Sequence, residues 1–222
     1  MDGPRHRIPA MLQGDPEWWR LVETISSEDR ATAVQHNARA EPEYRLYDSM
    51  EPVPCVGAIM TAPIVLLLSH PVLDGRSTPS DYSFHRPGWP LSALHPDAPA
   101  GMAERWRHRV AGLVDRFGAQ HVSNAVAAVF LTPWRSFAFA DQLRLPSRRR
   151  LLDLAASAAA RDAVLLIPRY HDLWTEHPII AALPSNRRFN SRWWRVTEIS
   201  ERNLGGDAWS ILCQRIETHA WI

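Results

Sequence analysis

Ser69 and His70 are the residues of this chain best placed to do chemistry. They close the apolar run Ala62-Pro63-Ile64-Val65-Leu66-Leu67-Leu68 and open a loop rich in Gly, Pro, Ser and Asp. Branched apolar residues entered through Pro63 and left through Pro71 predict a strand buried on both faces. Polar groups at the carboxyl end of such a strand lie where open α/β sheets place their ligand sites. A histidine there can take or give a proton near neutral pH. Asp74, Asp81, Tyr82 and Phe84 follow within the same loop, and Ser69 to Tyr82 is the first candidate site.

Missing residues narrow the chemistry. All 25 basic residues are arginine, which removes lysine Schiff-base chemistry and a P-loop lysine together. The two cysteines, Cys55 and Cys213, are far apart in sequence. They lack the spacing of a zinc site and are too few for an iron–sulfur cluster. Neither a Gly-x-Ser-x-Gly elbow nor a His-Glu-x-x-His motif is present. The ten histidines are scattered, so neither a metal nor a cofactor is expected.

Charge is uneven although the net value is only +1. Residues 144–195 carry ten arginines against four acids, while residues 1–50 carry six arginines against nine acids. A basic segment in a nearly neutral chain suits a polyanion-binding face; arginines scattered over a solvated surface would give the same count. No apolar run reaches the ~18 residues of a membrane span and no charged-then-apolar leader opens the chain, so a cytoplasmic protein is expected.

The elements that must position these residues read as one α/β domain. Asp15 and Pro16 suit the start of a short helix that Trp18 and Trp19 pack onto the rest. A proline-rich stretch over residues 41–63 leads into the first strand. After the long loop 74–101, helical spacing runs from Gly101 to Phe117, with Gly118 as its cap. Further strands are predicted over Val122–Leu131, Ala163–Ile167 and Trp193–Ile199, with Ser147 capping a helix through Ala160. A helical region around Asp172–Leu183 and an amphipathic helix over Asp207–Thr218 complete the chain. Strands separated by helices call for parallel pairing. The expectation is a three-layer α/β/α sandwich around a mostly parallel four-stranded sheet, with residues 1–50 as a helical extension.

Two segments resemble the uracil-DNA glycosylase superfamily, over roughly Pro52 to the C-terminus. In Pro54-Cys55-Val56-Gly57 through Pro71, a Pro-x-x-Gly lead-in precedes a strand that in the family ends in Asn-Pro-Gly. His70 stands where the family carries the Asp or Asn that positions the attacking water; Pro71 matches and Val72 replaces the glycine. Tyr82 and Phe84 then correspond to the aromatic that stacks on the flipped base. The second segment, Glu198-Ile199-Ser200-Glu201-Arg202-Asn203-Leu204, resembles the late loop that contacts the base and wedges into the duplex. Ser200, Asn203 and Leu204 match; Glu198 replaces a His or Thr, and Glu201-Arg202 replace Pro-Gly.

The resemblance implies a DNA glycosylase that flips a base out of double-stranded DNA and cuts its N-glycosidic bond. A neutral His70 would hold or activate the water, with Ser69 beside it and Asp74 and Asp81 as alternatives that could also steady the cationic sugar. His70 could instead simply cap its loop. Glu198 could accept hydrogen bonds from an exocyclic amine, which points to a modified cytosine, or it could pair with Arg195 or Arg202. One branch of the family removes glucosylated hydroxymethylcytosine from phage DNA, the sharpest substrate expectation here; uracil repair is the alternative. Thr132 and Trp134 fall where the family places a base-reading residue, although Trp134 suits a buried core equally. Leu204 would be the wedge, or packing beneath the last helix. Arg148, Arg149, Arg150, Arg187, Arg188, Arg192 and Arg202 are the phosphate-binding candidates. Without lysine, the enzyme would leave an abasic site and not nick the strand. A monomer is expected, and a DNA-binding module of the same fold without catalysis is the remaining alternative.

Overall fold

Three apolar runs fold as strands because both faces of the sheet they form are covered. They are β2 (Ile64–Leu68), β3 (Val126–Phe130) and β4 (Val164–Ile167), and every residue of the three is buried. The computed structural model describes residues 15–219, apart from 74, 76, 77, 79, 80, 82 and 193–197. Two short strands flank the apolar three, β1 (Cys55–Val56) and β5 (Arg188–Asn190). The order across the sheet is β1-β3-β2-β4-β5. β2 pairs in parallel with β3 and β4, and β4 with β5, while β1 runs antiparallel to β3.

Alternate strand residues feed two separate cores, as the two-residue side-chain period requires. Val65, Leu67, Val129, Leu165 and Ile167 join one cluster with Trp18, Ile25, Leu151 and Trp174. Ile64, Leu66, Ala128, Val164 and Leu166 join the other with Trp106, Leu113, Leu212 and Ile216. The first cluster draws on α1 (Pro16–Asn37), α5 (Arg148–Ala160) and the short α6 (His171–Trp174) and α7 (Pro178–Ala181). The second draws on α2 (Ala100–Arg109), α3 (Ala111–Phe117), α4 (Ala119–Ala125) and α9 (Gly206–Glu217), which follows the single turn α8 (Glu201–Leu204). No helix of the described residues is long and apolar enough to cross a membrane.

Several expectations are corrected. Among the described residues the sheet has five strands, not four: β1 is too short to show a pattern and exists through its pairing with β3. Of the expected strand Trp193–Ile199, residues 193–197 lie outside the described residues, and Glu198 and Ile199 belong to no strand. The single helix expected over 101–117 breaks at Val110, whose φ of −114° leaves the helical region. The break frees the Arg109 carbonyl, which accepts Ile199 N–H at 2.7 Å. Val122 to Ala125, expected as strand, are the last turn of α4. The first helix is long, at 22 residues, and buries Trp18 but leaves Trp19 40% exposed.

Ser147 does not cap α5 with its own side chain. Its backbone N–H and its hydroxyl instead donate to Asp29 of α1, at 2.9 and 2.7 Å. Trp134 Nε1 donates to the same carboxylate at 2.9 Å. Asp29 is fully buried, and burial raises its carboxyl above the usual range while these donors pull it down. One buried carboxylate thereby ties the first helix, the start of α5 and the loop after β3.

Candidate functional site

The carboxyl ends of β2 and β3 continue side by side past the strands. Leu131 and Thr132 donate to the carbonyls of Leu68 and Ser69, both at 2.8 Å. Farther out, Val72 bridges Ser136, and Leu73 N–H donates to the Ser136 carbonyl at 3.0 Å. His70 sits on this doubled loop, 8% exposed. Its Nδ1 lies 3.1 Å from Ser69 Oγ, and its Nε2 is buried without a hydrogen-bond partner. Burial pushes the imidazole down to about 4; the cations Arg105 and Arg109 act in the same direction and the Ser136 backbone opposes them. His70 is therefore neutral near pH 7.

A cavity of about 80 Å³ opens beside it, lined by His70, Pro71, Val72, Arg105, Trp106, Arg109 and Arg135, with Val53, Val56, Met102 and Phe130. Met102, Arg105, Trp106 and Arg109 fall at i, i+3, i+4 and i+7, the spacing of one helical face, so α2 presents all four to the cavity. The Arg109 guanidinium lies 5.1 Å from the centre of the Trp106 ring, within cation–π range. Burial lowers Arg109 to about 10, helped by Arg105 and Arg169. None of the described lining residues is acidic.

On its other side, His70 stacks on Phe139, with ring centres 5.7 Å apart and planes 19° apart. Phe139 meets Tyr170 at 4.5 Å. Tyr170 follows β4 and has a left-handed backbone, φ 57°. For a bulky residue that conformation carries strain of the kind that gathers at functional sites. Phe139, Tyr170, Arg105 and Arg109 were all missed in the sequence. The readable signal for the arginines was their four-residue spacing around Trp106; for the aromatics there was none.

The other candidates disperse. Asp74 and Tyr82 lie outside the described residues. The Asp81 carboxylate accepts from Thr78 N–H at 2.7 Å and from Thr78 Oγ1 at 2.9 Å, closing a local turn. Phe84 packs against His95 at 6.2 Å, not against His70. Thr132 is buried next to Ser69. Trp134 is core: it is 5% exposed, bonds Asp29 and does not line the cavity. Glu198 is half-buried and absent from the cavity lining. Its carbonyl accepts from Asn203 Nδ2 at 3.1 Å, so the buried Asn203 braces its own loop. Ser200 accepts through its backbone from Asn203 and Leu204, and Leu204 packs against the second core as a half-buried residue beneath α9.

Most of the basic segment is engaged inside the protein. Arg148 is buried against Glu176 at 2.7 Å, and Arg150 pairs with Glu28 at 2.5 Å. Arg187 donates to the Ala159 and Ala163 carbonyls and pairs with Asp162 at 3.2 Å. Arg188 donates to the Ile180 and Ala181 carbonyls at 2.8 and 2.7 Å. Arg192 leans over Gly205, so that a Cβ added there would lie 2.5 Å from the guanidinium. Arg149 and Arg202 are exposed. Three arginines from outside that segment, Arg105, Arg109 and Arg135, line the cavity beside His70. No group of three His, Cys, Asp or Glu suited to a metal occurs among the described residues. Compared with family models, curated proteins and solved structures, the chain matches none.

Proposed function

We propose that this chain is a monofunctional DNA glycosylase, which hydrolyses the N-glycosidic bond of a modified pyrimidine turned out of double-stranded DNA. The observation that carries the reading is the surroundings of His70: a neutral imidazole between a partly exposed aromatic pair and an arginine-walled cavity. A flipped base needs a flat surface to stack on, and Phe139 with Tyr170 would supply one where Phe84, packed on His95, does not. In the tautomer whose Nδ1–H donates to Ser69 Oγ, Nε2 is the ring acceptor that would hold a water against the sugar carbon. An imidazole titrating near 4 is a weak base. Its task is to orient the water while charge separates between the sugar and the departing base. The arginines favour the negative charge that builds on that base. A three-layer α/β/α arrangement with four parallel strands, of the uracil-DNA glycosylase kind, is part of the same reading. With no lysine to attack the sugar, the product is an intact strand with an abasic site.

Glucosylated hydroxymethylcytosine in phage DNA is the first substrate to test, which would make the activity a defence. Excision of uracil or another deaminated base is the second reading. Two observations favour it: Glu198 does not line the cavity, and the arginines there offer only donors, which suit carbonyl oxygens better than an exocyclic amine. Purified protein is given T-even phage DNA, its unglucosylated counterpart and uracil-containing duplex, and abasic sites are counted after alkaline cleavage. Release from the phage DNA alone supports defence, and release from uracil DNA alone supports repair. Release from none leaves a DNA-binding module. His70→Ala abolishes release with DNA binding retained; equal activity in that variant removes His70 from the mechanism.

A further inference from the structure

Two aromatic rings stand exposed beside the doubled loop that carries His70. Phe137 follows Ser136, the residue bridged to Val72, and its ring lies beside Gly75, where an added Cβ would come 3.9 Å from it. Phe139, on which His70 stacks, is two residues farther on, at most about 7 Å along the chain. Tyr47 reaches the same place from the segment after α1. The two rings meet with centres 6.0 Å apart and planes 81° apart, and Tyr47 is 39% exposed and Phe137 46%. A single exposed aromatic needs no explanation, but this pair is fixed by its backbone. Tyr47 N–H donates to the Arg135 carbonyl at 2.9 Å, and Ala138 N–H to the Glu43 carbonyl at 2.8 Å. Just before Tyr47, the Leu46 N–H and carbonyl both bond the side-chain amide of Asn37 in α1, each at 2.7 Å. The Leu46 side chain is buried in a cluster with Trp134.

We infer that Tyr47 and Phe137 form a stacking site for an unpaired nucleobase, beside the base turned out toward His70. Two rings nearly at right angles make a corner. A flat heteroaromatic ring laid on the face of one turns its edge to the face of the other. Both contacts suit the negative face and positive edge of an aromatic ring. Every base has a flat face, so such a site tolerates any sequence. The backbone bonds at Leu46, Tyr47 and Ala138 are in place before a ligand arrives, so little ordering opposes its binding. The site rests on the reading of the His70 cleft as a place that receives bases, and not on cleavage of the glycosidic bond.

Fluorescence anisotropy of the full chain at fixed ionic strength tests this with two labelled strands of equal length and charge. One is oligodeoxythymidylate, and the other is the same backbone with an abasic site at every position. The unaltered chain should bind the thymidylate strand more tightly. Tyr47→Ala and Phe137→Ala should each weaken that binding about five- to a hundredfold and leave affinity for the abasic strand unchanged. Phe137→Trp keeps a flat ring and should bind at least as tightly as the unaltered chain. Circular dichroism checks folding, and because the two residues lie on separate segments, either variant keeps the test alive should the other fail to fold. Equal affinity for the two strands, or binding of neither, overturns the inference. So does an equal loss for both strands in the alanine variants, or a Phe137→Trp as weak as Phe137→Ala. A thymidylate preference that survives both alanine substitutions also overturns it and moves the stacking to Phe139 and Tyr170. Base release is not read here, so this site and the glycosylase activity can fail separately.

Discussion

Protonation of His70 should cost the protein a predictable amount of stability. In the unfolded chain this histidine titrates at its ordinary 6.5, and in the folded protein burial holds it down to about 4. As pH falls, the unfolded chain takes up the proton first, so the stabilising contribution is complete above 6.5 and drains away through this window. At about 1.4 kcal/mol per unit, the gap amounts to about 3 kcal/mol by the time the folded imidazole titrates. The perturbation is His70→Gln, which keeps a polar side chain without a titrating ring. Urea unfolding of both proteins at about pH 7 and about pH 4 gives two free-energy differences. Every other group titrates in both proteins, so their difference isolates His70. The unaltered protein should lose about 3 kcal/mol more than the variant. Equal losses would refute the argument, because His70 would then be solvated or compensated by a neighbour in the folded state.

Two further substitutions probe the scaffold. Asp29→Ala strands the Ser147 N–H and Trp134 Nε1 in the core. It should cost about 3 kcal/mol or more, read as a lower urea midpoint with altered Trp134 fluorescence. Gly57→Ala forces a side chain onto a backbone at φ +81°, with its Cβ 2.6 Å from the Val126 carbonyl. A loss of at least about 2 kcal/mol is expected in thermal unfolding, and no change would mean that the β1–β3 approach is not tight.

How much of this was legible depends on whether a residue's role is local. The apolar runs that became β2 and β4 could be read directly, because a strand buried on both faces needs little beyond its own composition. The start of β3 could not: the apolar Val122 and Ala125 lead directly into the strand, and only packing of α4 under the sheet separates the two. His70 was legible as a polar residue ending a buried strand. Its company was not, because Phe139 and Tyr170 arrive from two other loops and Arg105 and Arg109 from a helix. Counting arginines misled for the same reason. The run at 148–150 and the pair at 187–188 look like a phosphate track in sequence, yet helix ends and nearby acids use most of them.

The margins of the sheet have a consequence for assembly. β1 is two residues long, preceded by Pro52 and Pro54 and followed by Gly57 in a left-handed conformation. β5 is three residues long and includes Arg188 and Asn190. Neither margin offers the long, flat row of amide and carbonyl groups on which a foreign strand could build. The wholly apolar β2 and β4, which would be sticky on their own, are shut between neighbours. Among the described residues a second chain therefore finds no long strand to extend, and the sheet stands as a girder behind the His70 cleft.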